Sequence, residues 1–291
     1  MKEHQAGWLF VAPALLLVGL FFVLPVVVGL ALSLTDFDIY GIGDLTTVRF
    51  VAFANYSQLA GNPLFWQALK NTAVFVLLGG ILSILLALAS ALALASRLTV
   101  WPSFFRTVYF APVVMTLVAA AVVFRYLYHP DFGLLNRVLG LFGVSPVFWL
   151  GDPRYALLAI ILLATWKNFG ANMVVLLAGL GTIPESLYEA AKLDGASAVR
   201  IFWHVTLPGL RPTLLFVSLT TVIGYFQLFA EPYVMTGGGG PNNATLSLVL
   251  HMYKEGFRWW NLGYAAAVAV VLTLIIAAAS TVLWLVQRKK A

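Results

Sequence analysis

The chain of 291 residues contains no cysteine, which excludes disulfides, thiolate nucleophiles and cysteine-bound metals and leaves the redox compartment unread. Its four histidines are scattered without ligand-like spacing, so no metal site is expected. Charge is scarce as well: Asp, Glu, Lys and Arg make up 10% of the residues, against roughly a quarter in soluble domains. Apolar residues fill the space, at 62% of the chain and a mean hydropathy of +0.94. This composition excludes a water-soluble globular domain and excludes disorder. The relevant ruler is the bilayer, whose hydrocarbon core takes about 20 apolar residues per spanning helix. The expected fold is all-α: one polytopic membrane domain covering residues 1–291.

Six apolar stretches are long enough to span, near 7–34, 71–96, 104–128, 155–180, 209–230 and 263–287. All should be helices, because lipid offers no partner to an unpaired backbone group. The first exceeds the ~7–15 apolar residues of a signal peptide and is expected to be retained as span one. The net charge of +6 does not form a nucleic-acid-binding stripe, since the basic residues are dispersed between apolar blocks. Nine of them, Lys2, Arg97, Arg106, Lys192, Arg200, Arg211, Arg288, Lys289 and Lys290, fall on one side. Six, Arg49, Lys70, Arg137, Arg154, Lys254 and Arg258, fall on the other, offset by Asp36, Asp38, Asp44, Asp131 and Asp152. The positive-inside rule then places both termini in the cytoplasm. Pro13, Pro25 and Pro112 lie within spans and predict kinks or unwound turns.

The segment between spans four and five, 181–211, breaks the apolar pattern on the expected cytoplasmic side. Thr182 with Glu185 has capping-box spacing, and Pro184 suits a first turn. Gly195 should end the helix so begun, Ser197 should cap a second, and Pro208 should stop it. The result is an angled helical hairpin. It could lie along the membrane surface as an amphipathic loop, but Glu189-Ala190-Ala191 sets small side chains beside one carboxylate, a shape suited to inserting between protein surfaces.

Glu189-Ala190-Ala191, with Asp194-Gly195 following and Ile201 to Pro208 closing the segment, resembles the EAA loop of the membrane subunits of binding-protein-dependent ABC importers. Asp131 to Asn136, Ala178 to Leu180 before Ile183-Pro184, Phe229 to Thr236 followed by Gly237 to Pro241, and Gly263 to Ala267 look like the carbohydrate-uptake branch of that family. The resemblance implies a permease subunit in a bacterial or archaeal cytoplasmic (inner) membrane. Its implied partners are a second six-helix permease subunit, a pair of cytoplasmic ATPases that bind ATP and magnesium, and an external sugar-binding protein. It implies that Glu189, Ala190, Ala191, Asp194 and Gly195 couple this chain to an ATPase through a rigid coupling helix. It also implies a sugar path through the helices flanking the loop.

Ionisable groups at membrane depth are costly and are functional candidates by default. Arg125 lies near the outer end of span three, where it can snorkel. Lys167 sits centrally in span four, with Asn168 and Asn172 on nearby turns. Span five carries Thr220, Thr221, Tyr225, Gln227 and Glu231, with Thr220 and Gln227 two turns apart on one face. Amides, carboxylates and aromatic faces suit a sugar, so the candidate substrate path is Lys167, Asn168, Asn172, Thr221, Tyr225, Gln227 and Glu231. Threonines in spans also bond their own backbone. Gly237 to Gly240 lack the Lys-Ser/Thr ending of a phosphate loop and read as an external turn. No Walker motif occurs, so ATP hydrolysis is assigned to a partner and the chain is not read as an enzyme. A self-sufficient secondary transporter or channel is the alternative; such a protein commonly shows inverted repeats, broken spans or intramembrane carboxylates for coupling ions, and here Glu231 is the sole deep acid candidate and no repeat is evident.

Overall fold

The computed structural model describes residues 3–96 and 99–288. Lys2, Arg97, Lys289 and Lys290, which entered the orientation count, lie outside the described residues. Helix dominates, and the only strand-like pairing among the described residues is a bridge between Thr35 and Phe50. Among the described residues, five helical segments are long and apolar enough to cross a membrane: Phe10–Leu32, Pro63–Ala95, Pro153–Leu180, Arg211–Met235 and Leu262–Val286. They are spans one, two, four, five and six.

Span three, expected over 104–128 with a kink or unwound turn at Pro112, is sharply broken just after that proline. It consists of two helices, Pro102–Val114 and Leu117–Leu127, bent by 100°. Met115 and Thr116 between them take extended backbone. Pro112 withholds one N–H from the last turn of the first half. Thr116 then caps the second half, its Oγ1 accepting the Ala119 N–H at 3.4 Å. Each half is at most about 20 Å long, too short to cross alone. Pro13 and Pro25 instead flank a widened π turn, Gly19–Val23, through which the helix continues.

The chain forms two compact units by contact, one of residues 1–66 and 251–274, the other of 67–250 and 275–291. In the first, the segment after span one is fixed by local polar contacts. Asn55 Nδ2 donates to the Ser33 and Thr35 carbonyls at 2.9 and 2.8 Å, and Asp38 caps Ile39–Gly43. The Gly263 N–H donates to the Phe37 carbonyl at 2.8 Å. In the second unit, Ala87, Ala91 and Leu94 of span two pack with Met173 and Leu176 of span four and Val217 of span five. Small side chains permit this, because helices in lipid associate by close van der Waals packing. Gly170 brings span four against the backbone of Tyr109 and Phe110 in the first half of span three.

Candidate functional site

Within the second unit lies a cavity of about 660 Å³, inside the range of small-molecule sites. Asn168, Ala171, Asn172 and Val175 of span four form one wall, and Thr220, Thr221, Gly224 and Tyr225 of span five another. Span five is not the single helix expected over 209–230. Its first helix, Arg211–Phe226, ends before Gln227, and a second, Ala230–Met235, begins after Phe229. The interrupted stretch from Gln227 to Glu231 lines the cavity, so a broken helix brings irregular backbone to its edge.

Six of the expected path residues meet here: Asn168, Asn172, Thr221, Tyr225, Gln227 and Glu231 all line the cavity. Asn172 Nδ2 donates to Thr221 Oγ1 at 3.0 Å and to Ser83 Oγ at 3.4 Å, tying spans two, four and five together. Thr220 also lines it, but its hydroxyl donates to the Phe216 and Val217 carbonyls of its own helix. Tyr225 stacks on Phe75 with ring centroids 5.0 Å apart, and Gly79 in the π turn Phe75–Gly79 leaves room for its ring. The Tyr225 and Thr165 hydroxyls are buried side by side without a well-formed hydrogen bond, with Ser83 and Asn168 beside the Tyr225 hydroxyl. Glu231 is buried, 7% exposed. Lys167 lies outside this group: its Nζ turns to the break in span three and donates to the Met115 carbonyl at 2.9 Å. Phe75, Ser83 and Leu117 were missed in the sequence because they are contributed by spans two and three, whose spacing carries no signal of a site in span five.

The hairpin forms as two helices, with two corrections. Glu185–Leu193 is the first, but the capping box is not made: Thr182 Oγ1 donates to the Gly179 carbonyl at 2.8 Å instead. Gly195 has φ +67°, and the Ala196 N–H reaches back to the Ala191 carbonyl at 2.9 Å. That left-handed turn sets the angle of the hairpin. Ser197 caps the second helix, as expected, by accepting the Arg200 N–H at 3.4 Å. Pro208 does not stop it: a π turn, Phe202–Thr206, precedes the proline, and helical backbone continues through Gly209 and Leu210 into span five. Glu189, Ala190, Asp194 and Gly195 are exposed and Ala191 is half-buried. Leu187, Leu193, Val199 and Trp203 are exposed around them.

Several charged groups at or beyond the span ends find local partners. Arg125 Nη1 donates to the Val234 carbonyl at 3.4 Å. Asp152 caps span four and pairs with Arg154 at 2.7 Å, which holds its carboxyl below the usual range. Asp36 accepts the Arg49 N–H and pairs with its guanidinium, with the same consequence. Gly237 to Gly240 all have positive φ and form a turn, as expected. His251 sits 3.9 Å from Glu255, and burial pushes its imidazole below the ordinary value. Among the described residues no group of three or more His, Cys, Asp or Glu is placed to hold a metal.

Residues 6–291 match the family described as the binding-protein-dependent transport system inner membrane component. The chain belongs to this family. The lactose transport system permease protein LacF of Rhizobium radiobacter is 38% identical to this permease over 288 residues, 98% of this chain and 94% of that protein. The arabinooligosaccharides transport system permease protein AraP of Bacillus subtilis (strain 168) is 34% identical, covering 97% of this chain and 88% of that protein. A crystal structure of a bacterial alginate ABC transporter, in complex with an alginate pentasaccharide-bound periplasmic protein, contains a chain of the same fold. The TM-score is 0.79 at 21% identity, over 97% of this permease and 94% of that chain.

Proposed function

We propose that this permease is the membrane-spanning subunit of an ATP-driven importer that carries a sugar, an oligosaccharide or related polyol compound, inward by alternating access. The observation that carries the reading is the connection between hairpin and cavity. The second hairpin helix passes through Leu210 into Arg211–Phe226, and that helix ends at Gln227 on the cavity's edge. A displacement of the hairpin is therefore delivered to the cavity by one helix.

In this reading Asn168, Asn172, Thr221, Tyr225, Gln227 and Glu231 meet the sugar, with Phe75 and Tyr225 offering aromatic surface and the amides and carboxylate matching hydroxyls. Glu189, Ala190, Ala191, Asp194 and Gly195 seat the hairpin in an ATPase groove. The partners are a second permease subunit, an ATPase pair that holds ATP and magnesium, and an external binding protein that delivers the sugar. The whole chain acts as one permease domain in the cytoplasmic membrane with both termini in the cytoplasm, a reading supported by the family match extending over residues 6–291.

The test is reconstitution in liposomes with those partners and a panel of labelled sugars. Uptake that requires ATP, the binding protein and this chain is the expected result. Uptake by this chain alone without ATP would overturn the reading.

A further inference from the structure

Lys167 is the one candidate path residue that does not line the cavity, and its surroundings give it a different task. Its Nζ donates to the Met115 carbonyl at 2.9 Å and to the Pro112 and Val113 carbonyls at 3.4 Å. These are the terminal carbonyls of Pro102–Val114 and the first residue of the break. The last carbonyls of any helix have no intrahelical partner and carry the negative end of its dipole. Ordinarily water or a capping turn satisfies them, but at membrane depth an unmet carbonyl is expensive. The Pro112 carbonyl also accepts the Met115 N–H at 3.3 Å, and a lysine ammonium, a compact charge with three donors, reaches it together with the Val113 and Met115 carbonyls from a neighbouring span.

The break so capped stands at the cavity. Leu117, the first residue of the second half-helix, lines the cavity together with Glu231. That half-helix packs against Ala230–Met235, the short helix carrying Glu231, and Arg125 at its far end donates to the Val234 carbonyl. Gly170, three residues beyond Lys167, adjoins Tyr109 and Phe110 of the first half, so span four grips the same helix at two successive places.

We infer that Lys167 is a positioning residue that pins the broken third span, so that Leu117 and the half-helix behind it form a fixed wall of the cavity. The inference rests on the proposed translocation cavity, but it concerns how one wall is held, and its loss can be told apart from loss of that reading. Without the ammonium the Val113 and Met115 carbonyls lose its hydrogen bonds and favour a different arrangement of residues 112–116, and Leu117 moves with them.

The chain contains no cysteine, so Leu117→Cys supplies a unique thiol on this subunit. The assembled importer is reconstituted in liposomes, and the rate at which a polar maleimide labels that thiol is measured without sugar. The same measurement is made with Lys167→Met and with Lys167→Arg added. Lys167→Met should change the labelling rate at least about tenfold, the scale of losing one charge-assisted hydrogen bond, and Lys167→Arg should restore most of it. Equal rates in all three overturn the inference, and so does a change that arginine fails to reduce at all. If Lys167→Met does not assemble with its partners, Lys167→Gln takes its place under the same criteria. A separate arm adds sugar-loaded binding protein: absence of any effect on labelling speaks against the cavity as the sugar path and leaves the role of Lys167 to be decided by the sugar-free rates.

Discussion

Gly170→Ala measures how tightly spans three and four are locked. A Cβ on Gly170 would stand 2.0 Å from the Tyr109 carbonyl oxygen, 2.9 Å from its carbon and 3.2 Å from Phe110 Cα. Carbon and oxygen in contact need about 3.3 Å, so the helices must part by about 1.3 Å. The obstacle is backbone and cannot rotate away. Overpacking of this kind costs about 1–3 kcal/mol, and a backbone obstacle places it at the upper end. Alanine returns about 1 kcal/mol of helix propensity, leaving a net loss of about 2 kcal/mol. Gly224→Ala is the control, because a Cβ there meets nothing within 4 Å and only the propensity gain remains. The two variants should differ by about 3 kcal/mol, or about 6–12 °C in unfolding midpoint. Tryptophan fluorescence of the detergent-solubilised chain, which has nine tryptophans, follows the transition at one fixed scan rate. Gly170→Ala melting at or above Gly224→Ala would refute the reasoning.

Gln227→Ala and Glu231→Gln should each raise the sugar KM about 10-fold or more through loss of a hydrogen bond in the cavity; unchanged uptake kinetics in both would remove them from the path. Tyr225→Phe removes a buried hydroxyl that sits beside Ser83, Asn168 and Thr165 without a well-formed hydrogen bond, so the unfolding midpoint should hold or rise; a marked drop would mean that the hydroxyl is bonded. Gly195→Pro cannot adopt φ +67° and should abolish uptake while leaving ATPase turnover by the complex, measured as phosphate release, uncoupled from the sugar-loaded binding protein. His251 is depressed below its ordinary 6.5 by burial, opposed by Glu255 and aided by Lys254. Its contribution is therefore complete above that value and is lost as pH falls, because the unfolded chain takes the proton first. The unfolding midpoint should drop between about pH 7 and pH 5, and less so in His251→Gln; equal slopes would exclude His251.

Apolar runs located all six spans, because lipid compatibility is a property of composition over a long window. They did not reveal that span three is broken at Met115 and Thr116 or span five at Gln227. Both breaks are made by partners distant in sequence or by caps one residue wide, so the hydropathy is unchanged through them. Asn168, Asn172 and Tyr225 were legible because polar groups in an apolar run stand out. Phe75 and Leu117 were not, since an apolar residue on a cavity wall looks like any lipid-facing one. Lys167 was legible as unusual but not in its direction: its partners are backbone carbonyls, which no side-chain pattern announces. At the hairpin, Gly195 and Ser197 acted as their chemistry dictates, whereas Thr182 donates its hydroxyl to the Gly179 carbonyl and does not accept the Glu185 N–H that a capping box needs.

The helix Arg211–Phe226 also behaves as a lever. Its 16 residues are about 24 Å long, so a tilt of about 10° at the hairpin end displaces Gln227 by about 4 Å. A hydrogen bond is lost over about 1 Å. In the proposed importer, small angular motion at the hairpin end is thus geared up into an all-or-none change of hydrogen bonding at the other, and every residue inserted or bent between Arg211 and Phe226 alters the gearing ratio.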